Sequence, residues 1–148
     1  MGNRAVITTQ EYLTNPDTIG VYLHWNGGRD SVEAFLLYCQ LKGYRPPEMD
    51  NYGRARLCQV VGNFFGGELS IGIDVCGHLD CDNKDSGVYI IKDWKIIGRR
   101  FAPSVEQHQY NLLEMLREIN QAQPQAEQLP DAALQKAVNE LKLVPSPI

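Results

Sequence analysis

The sequence has little of what marks a membrane, secreted or nucleic-acid-binding protein. No apolar run approaches the roughly 18 residues that suggest a membrane span. The opening stretch MGNRAVITT has no apolar core of the kind a secretory signal needs. After Gly2, position 6 is Val, where a myristoylation motif wants Ser or Thr. Basic residues are in deficit: 14 Lys and Arg stand against 18 Asp and Glu, for a net charge of −4. Proteins that bind nucleic acid broadly need a basic face to meet phosphates, so that class is disfavoured. Only four cysteines are present, and without a secretory context they read as reduced thiols. The expected location is therefore the cytoplasm, with no membrane partner. The chain also lacks a phosphate loop, a G-x-S-x-G nucleophile motif and an internal repeat.

What is present suffices for one hydrophobic core: 148 residues, 43% hydrophobic. Alternation and turn residues predict strands at 4–8 and 19–24, antiparallel to each other and joined by the turn chemistry of Asn15-Pro16-Asp17. Helical spacing of Val32, Phe35, Leu36 and Cys39 predicts a helix over 31–42, with Asp30 as N-cap, Glu33 completing a capping box, and Gly43 ending it. A second helix is predicted over 52–65, ended by Gly66-Gly67, then a strand over 69–73. Strands at 88–91 and 95–98 form a predicted hairpin. Ser104 is the expected cap of a third helix with Leu112, Leu113, Leu116 and Ile119 inward. A polar linker is expected over 122–130, and a short last helix from Asp131 has Leu134, Val138 and Leu141 inward. Strands come in runs, which predicts an α+β fold with a mostly antiparallel sheet and about four helices. The expected division is an α+β domain over 1–121, the linker, and a C-terminal helix and tail over 131–148.

The stretch HWNGGRD, residues 24–30, stands where a strand hands over to a helix. Free N–H groups and the helix dipole there could hold an anion. Gly27 and Gly28 would let it approach, Arg29 would add charge, Trp25 would stack on a base and His24 would exchange a proton. A small anionic nucleotide is the ligand that fits. The plainer reading is a tight turn, because Asn-Gly is turn chemistry and a capping Asp30 would already use the free amides.

The stretch DVCGHLDCDNKD, residues 74–85, packs Asp74, Cys76, His78, Asp80, Cys81, Asp82, Asn83 and Asp85 into twelve positions. Zinc would use Cys76, His78 and Cys81, at a spacing unlike a standard zinc knuckle. Calcium would need a ligand where Lys84 stands and glycine where Asp85 stands. A looser divalent-metal site on His78, Asp80 and Asp82 would support hydrolysis. The alternative is a solvated acidic loop with local backbone bonds, able to hook the basic surface of a partner such as a nucleic-acid enzyme. Cys39 and Cys58 fall on apolar helix faces, whereas Cys76 and Cys81 read as the more accessible thiols. Tyr44, Arg45, Tyr52, Arg54 and Arg56 form an aromatic-basic cluster that reads as a protein interface.

The segments MGNRAVIT, IGVYLHWNGGRDSVEAFL, ARLCQVVGNFFGG, LSIGID, HLDCDN, GVYII and DWKI cover most of residues 1–121. They resemble a family of small proteins of unassigned function from Firmicutes phages, prophages and conjugative elements. The resemblance transfers no catalytic residue. It implies an accessory protein of a mobile element in a bacterial host cell. Such proteins act by stoichiometric binding, as inhibitors of a host defence protein in the anti-CRISPR manner or as sponges for a nucleotide signal. The expectation is thus a binding protein without a cofactor, oligomeric or not. The alternative is a metal-dependent hydrolase or nuclease using His78, Asp80 and Asp82.

Overall fold

The computed structural model describes residues 3–100 and 110–142. The chain runs β1 (Ala5–Thr9), β2 (Ile19–Leu23), α1 (Arg29–Leu41), α2 (Asn51–Phe65), β3 (Ile71–Val75), β4 (Val88–Lys92), β5 (Lys95–Arg100), α3 (Leu112–Ala122) and α4 (Asp131–Lys142). The strands form one sheet in the order β3-β2-β1-β4-β5. β1 pairs antiparallel with β2, β2 with β3, and β4 with β5, while β1 and β4 are parallel. The fold is therefore α+β with a mostly antiparallel sheet and a single domain. Among the described residues no helix is long and apolar enough to cross a membrane.

β1 is central, and all five of its residues are buried. Its neighbours' register puts Ala5, Ile7, Val21, Leu23, Tyr89 and Ile91 on one face. These side chains join Phe35, Leu36, Val61, Leu116 and Ile119 in the main core. Each large apolar side chain buried there contributes roughly 1.5–3 kcal/mol. The other face carries Val6 and Val88, which meet Cys76, with Tyr12, Tyr22, Leu79 and Cys81 packed around them. The sheet thus has helices on one side and a short 3-10 turn plus the loop 76–85 on the other. Asp93 and Trp94 both adopt positive φ, +52° and +60°, as a two-residue hairpin turn requires. Trp94 is buried and its Nε1 donates to the Tyr44 carbonyl at 2.8 Å.

Several local expectations are corrected. α1 starts two residues early, with Gly28 as N-cap, so Asp30 lies in the first turn. Its carboxylate instead accepts from the Tyr110 amide at 3.2 Å. α2 is capped by Asp50, which accepts from the Gly53 amide at 3.1 Å. β3 begins at Ile71, leaving Leu69 outside it and fully exposed. The Ser104 cap lies outside the described residues; α3 as described is capped by Asn111, which accepts from the Glu114 amide. Leu141 is exposed, not inward, whereas Leu134, Ala137 and Val138 of α4 join the main core. The segment expected as a polar linker is docked: Gln123 is buried and donates to the Val60 and Ile119 carbonyls, and Tyr38 Oη donates to the Glu127 carbonyl at 2.6 Å. Gly43 does end α1, with φ +73°.

Candidate functional site: a sheet face and the loop that covers it

The pairing Ala5↔Leu23 sets Arg4 beside His24 on the face opposite the helices. Tyr22 lies two residues before His24 on that face, and its Oη is 2.8 Å from His24 Nδ1. The Trp25 ring meets the His24 ring edge-on at 4.9 Å. Loop 74–85 folds over the same face, so two segments far apart in sequence come together here. The link is Arg4. Its Nε donates to Asp85 Oδ2 at 2.7 Å, Nη1 to Asp80 Oδ2 at 3.0 Å and Nη2 to the Asn83 carbonyl at 2.6 Å. The hydrogen bond to Asp85, then the charges of Asp85 and Asp80, hold the guanidinium even more firmly protonated than usual. Tyr22 has its phenol pushed up, first by burial.

Asn83 is the internal support of the loop. It is 1% exposed. Its Oδ1 accepts from the amides of Asp85, Ser86 and Gly87 at 3.0, 3.2 and 3.0 Å. Its Nδ2 donates to the carbonyls of Asp80 and Gly87. Every polar atom of the side chain is therefore used, and the loop turns around it into β4.

The acidic side chains do not converge. Asp80 and Asp85 are held by Arg4, His78 Nδ1 is 3.3 Å from Asp74 Oδ2, and Asp82 is exposed. Among the described residues no three His, Cys, Asp or Glu side chains gather where they could hold a metal ion. Of the candidates, His78 and Asp80 are thus drawn to other partners, and Asp82 stands exposed apart from them. Cys76 is 2% exposed and part of the second apolar cluster, and Cys81 is half-buried with its Sγ donating to the Cys76 carbonyl. Burial pushes both thiols up, and Cys76 is not the accessible thiol that its place in a polar stretch suggested.

At residues 24–30 much of the ligand chemistry is already committed. The Gly27 amide donates to the Asn3 carbonyl at 2.8 Å, and the Gly27 carbonyl accepts from Tyr89 Oη at 2.8 Å. A Cβ on Gly27 would lie 2.5 Å from the Asn3 carbonyl oxygen, so this glycine serves close packing of backbone on backbone. Gly28 is buried and its carbonyl receives the first amide of the helix, from Val32. Arg29 Nε pairs with Glu33 Oε1 at 2.7 Å. Trp25 remains 39% exposed, beside an open depression of about 440 Å³ lined with Asn26, Phe64, Phe65 and Glu68.

The aromatic-basic cluster lies along α2 and the chain leading into it. Arg45 sits over the Tyr52 ring and Arg56 over the Tyr44 ring, both at 5.8 Å. Arg45 also pairs with Asp50 at 3.1 Å. Arg54 is half-buried on α2. Tyr44 and Arg56 border a groove of about 310 Å³ with Gln59, Asn63, Gln123 and Glu127.

Sequence reasoning missed Arg4 and Tyr22, whereas Asn83 makes the local backbone bonds expected of a solvated loop. Asn83 carried a signal, since an Asn followed within four residues by Ser-Gly can bond its own backbone. Arg4 carried none, because its partners are some 80 positions away. Comparison with protein-family models, with curated proteins and with solved structures finds no match for this chain.

Proposed function

We propose that this protein works by stoichiometric binding to a host protein, as the inhibitor of a defence component with a basic, nucleic-acid-handling surface. The supporting observation is the construction of the loop 74–85. Arg4 and Asn83 fix its backbone, while Asp74, His78, Asp80 and Asp82 stay exposed. A loop held this way loses little freedom on docking, and its carboxylates steer association with a basic partner. The stacked Arg-Tyr pairs at Tyr44, Arg45, Tyr52 and Arg56 offer a second contact area of the composition interfaces favour. The mobile-element setting implied by the resemblance agrees with this role. The nucleotide-sponge version has less support, since the Gly27 amide and the Arg29 guanidinium already have partners. The hydrolase alternative has less support, since among the described residues no three carboxylate, histidine or cysteine side chains converge.

The test is phage plating on bacteria that carry a defined nuclease-based defence and express this chain. Restored plating is expected, and Asp82→Lys should abolish it with the fold unchanged, because Asp82 is exposed on the loop. Protection that survives Asp82→Lys and is instead lost with Trp25→Ala would move the site to residues 24–29. Protection absent for every nuclease-based system tried would overturn the reading.

A further inference from the structure

β3 is an edge of the sheet, and its backbone is half used. The bonds His24 N–H to Ser70 carbonyl and Cys76 N–H to Thr18 carbonyl show that even-numbered residues here face β2. In an antiparallel ladder the alternate residues then point their N–H and C=O away. Those residues are Ile71, Ile73 and Val75. The Val75 amide is taken by Asp74 Oδ1 at 2.7 Å, which closes that end of the edge. Ile71 and Ile73 face outward with no strand beside them among the described residues.

The two edges of the sheet are not alike. β5 carries Lys95, Arg99 and Arg100 and is bulged against β4, devices that discourage edge-to-edge pairing. β3 has no Lys, no Arg, no Pro and no register shift against β2. Around it Ile73 is 58% exposed and Leu69 fully exposed, with Trp25 across from Leu69 in the extended register.

We propose that β3 is a homodimer edge, pairing antiparallel with β3 of a second copy about a two-fold axis at Gly72. The register is set by the chain itself. Centring on Gly72 places Ile71 opposite Ile73 of the second copy, and the reverse, so the four outward groups of each copy together form four hydrogen bonds. Leu69 then lies across from Val75 of the second copy, on the face where Ile73 and Trp25 are exposed. On the opposite face, Gly72 meets Gly72 with no side chain between them, and Asp74 stands across from Ser70. No like charges are directly opposed; the nearest, Glu68 and Asp74 of the second copy, are diagonal. A register shift of one residue, half a residue of axis, loses the outward-to-outward match, and moving the axis a full residue to Ile73 sets Ile71 against Val75, whose amide is already taken. The pairing closes, because each copy uses its β3 and is left with only the charged β5 edge. This inference does not rest on the function proposed above, although Asp74 belongs both to β3 and to the acidic stretch.

Sedimentation equilibrium over a concentration series tests it, together with hydrogen exchange of the Ile71 and Ile73 amides. Expected is a reversible dimer in which those two amides become protected as concentration rises. Ile73→Lys puts a charge on the edge without touching the core. Ile73→Pro removes one outward N–H and no bond to β2. Each should weaken the dimer by about tenfold or more, while Leu13→Lys, at an exposed apolar residue elsewhere, should not. A protein that stays monomeric throughout overturns the proposal. So does a dimer that survives both Ile73 variants with circular dichroism showing the native fold.

Discussion

Arg4 Nε donates to Asp85 Oδ2 at 2.7 Å across 81 positions of sequence, and the Arg4 backbone N–H reaches the same oxygen at 3.1 Å. One carboxylate thus receives both the main chain and the side chain of the residue that leads into the central strand. The pair fastens the loop to the sheet. Arg4→Ala and Asp85→Ala should each lower stability, and the double variant should cost less than the sum of the two. Urea denaturation of the four proteins measures this coupling. Strict additivity would mean that the contact does not hold the loop.

Asn83→Ala should be more damaging than any charge change on the exposed part of the loop. It strips three amides of their acceptor and two carbonyls of a donor in a buried place. The expected loss is about 2–3 kcal/mol. Asn83→Asp should recover part of it, because a carboxylate can still accept from the amides but cannot donate to the carbonyls. The midpoint of urea unfolding gives both values.

Gly27→Ala separates the packing role of the Gly-Gly turn from a ligand role. The new Cβ would lie 2.5 Å from the Asn3 carbonyl oxygen and 2.8 Å from Ala5 Cβ, both parts of a closely held β1 entry. Backbone must move to admit it, at a cost of about 1–3 kcal/mol. Thermal melts should show a clear fall for Gly27→Ala. No such fall is expected for alanine at Gly67, where a Cβ would meet nothing within 4 Å.

What the sequence made legible was local. The strand and helix periods of Val21–Tyr22–Leu23 and of Val32, Phe35, Leu36 and Cys39 predicted β2 and α1 because one buried face writes its spacing into the chain. The α+β class followed from the order of such segments. The cap of α1 was misread because Asp30 has the right chemistry at the wrong place, while Gly28, a weaker cap, is fixed by the close packing of Gly27 on Asn3. Segment 122–130 looked like a linker because its Gln residues are polar. In the fold, Gln123 is buried between α2 and α3 with both ends of its amide bonded. The acidic stretch was visible as a cluster, but its meaning depended on Arg4. Pattern along the chain cannot show a partner that arrives through sheet topology.

Asp131 offers a readout of whether α4 is anchored to α3 in solution. Arg117 grips its carboxylate with two bonds, at 2.7 and 3.0 Å, and Gln135 adds a third at 2.6 Å. The Arg117 hydrogen bond, then that of Gln135, pull the carboxyl down to about 2. An aspartate depressed in the folded state stabilises the fold above its ordinary value of about 4. That contribution falls away as pH drops from there through about 2. The side-chain carboxyl carbon of Asp131 should therefore titrate by NMR with a midpoint well below that of an unpaired aspartate, and Arg117→Ala should return it toward the ordinary value. The pair is exposed, so its effect on overall stability is small, and Asp131→Asn should flatten the acid limb of the stability curve only slightly. A midpoint at the ordinary value in the intact protein would mean that α4 spends much of its time away from α3.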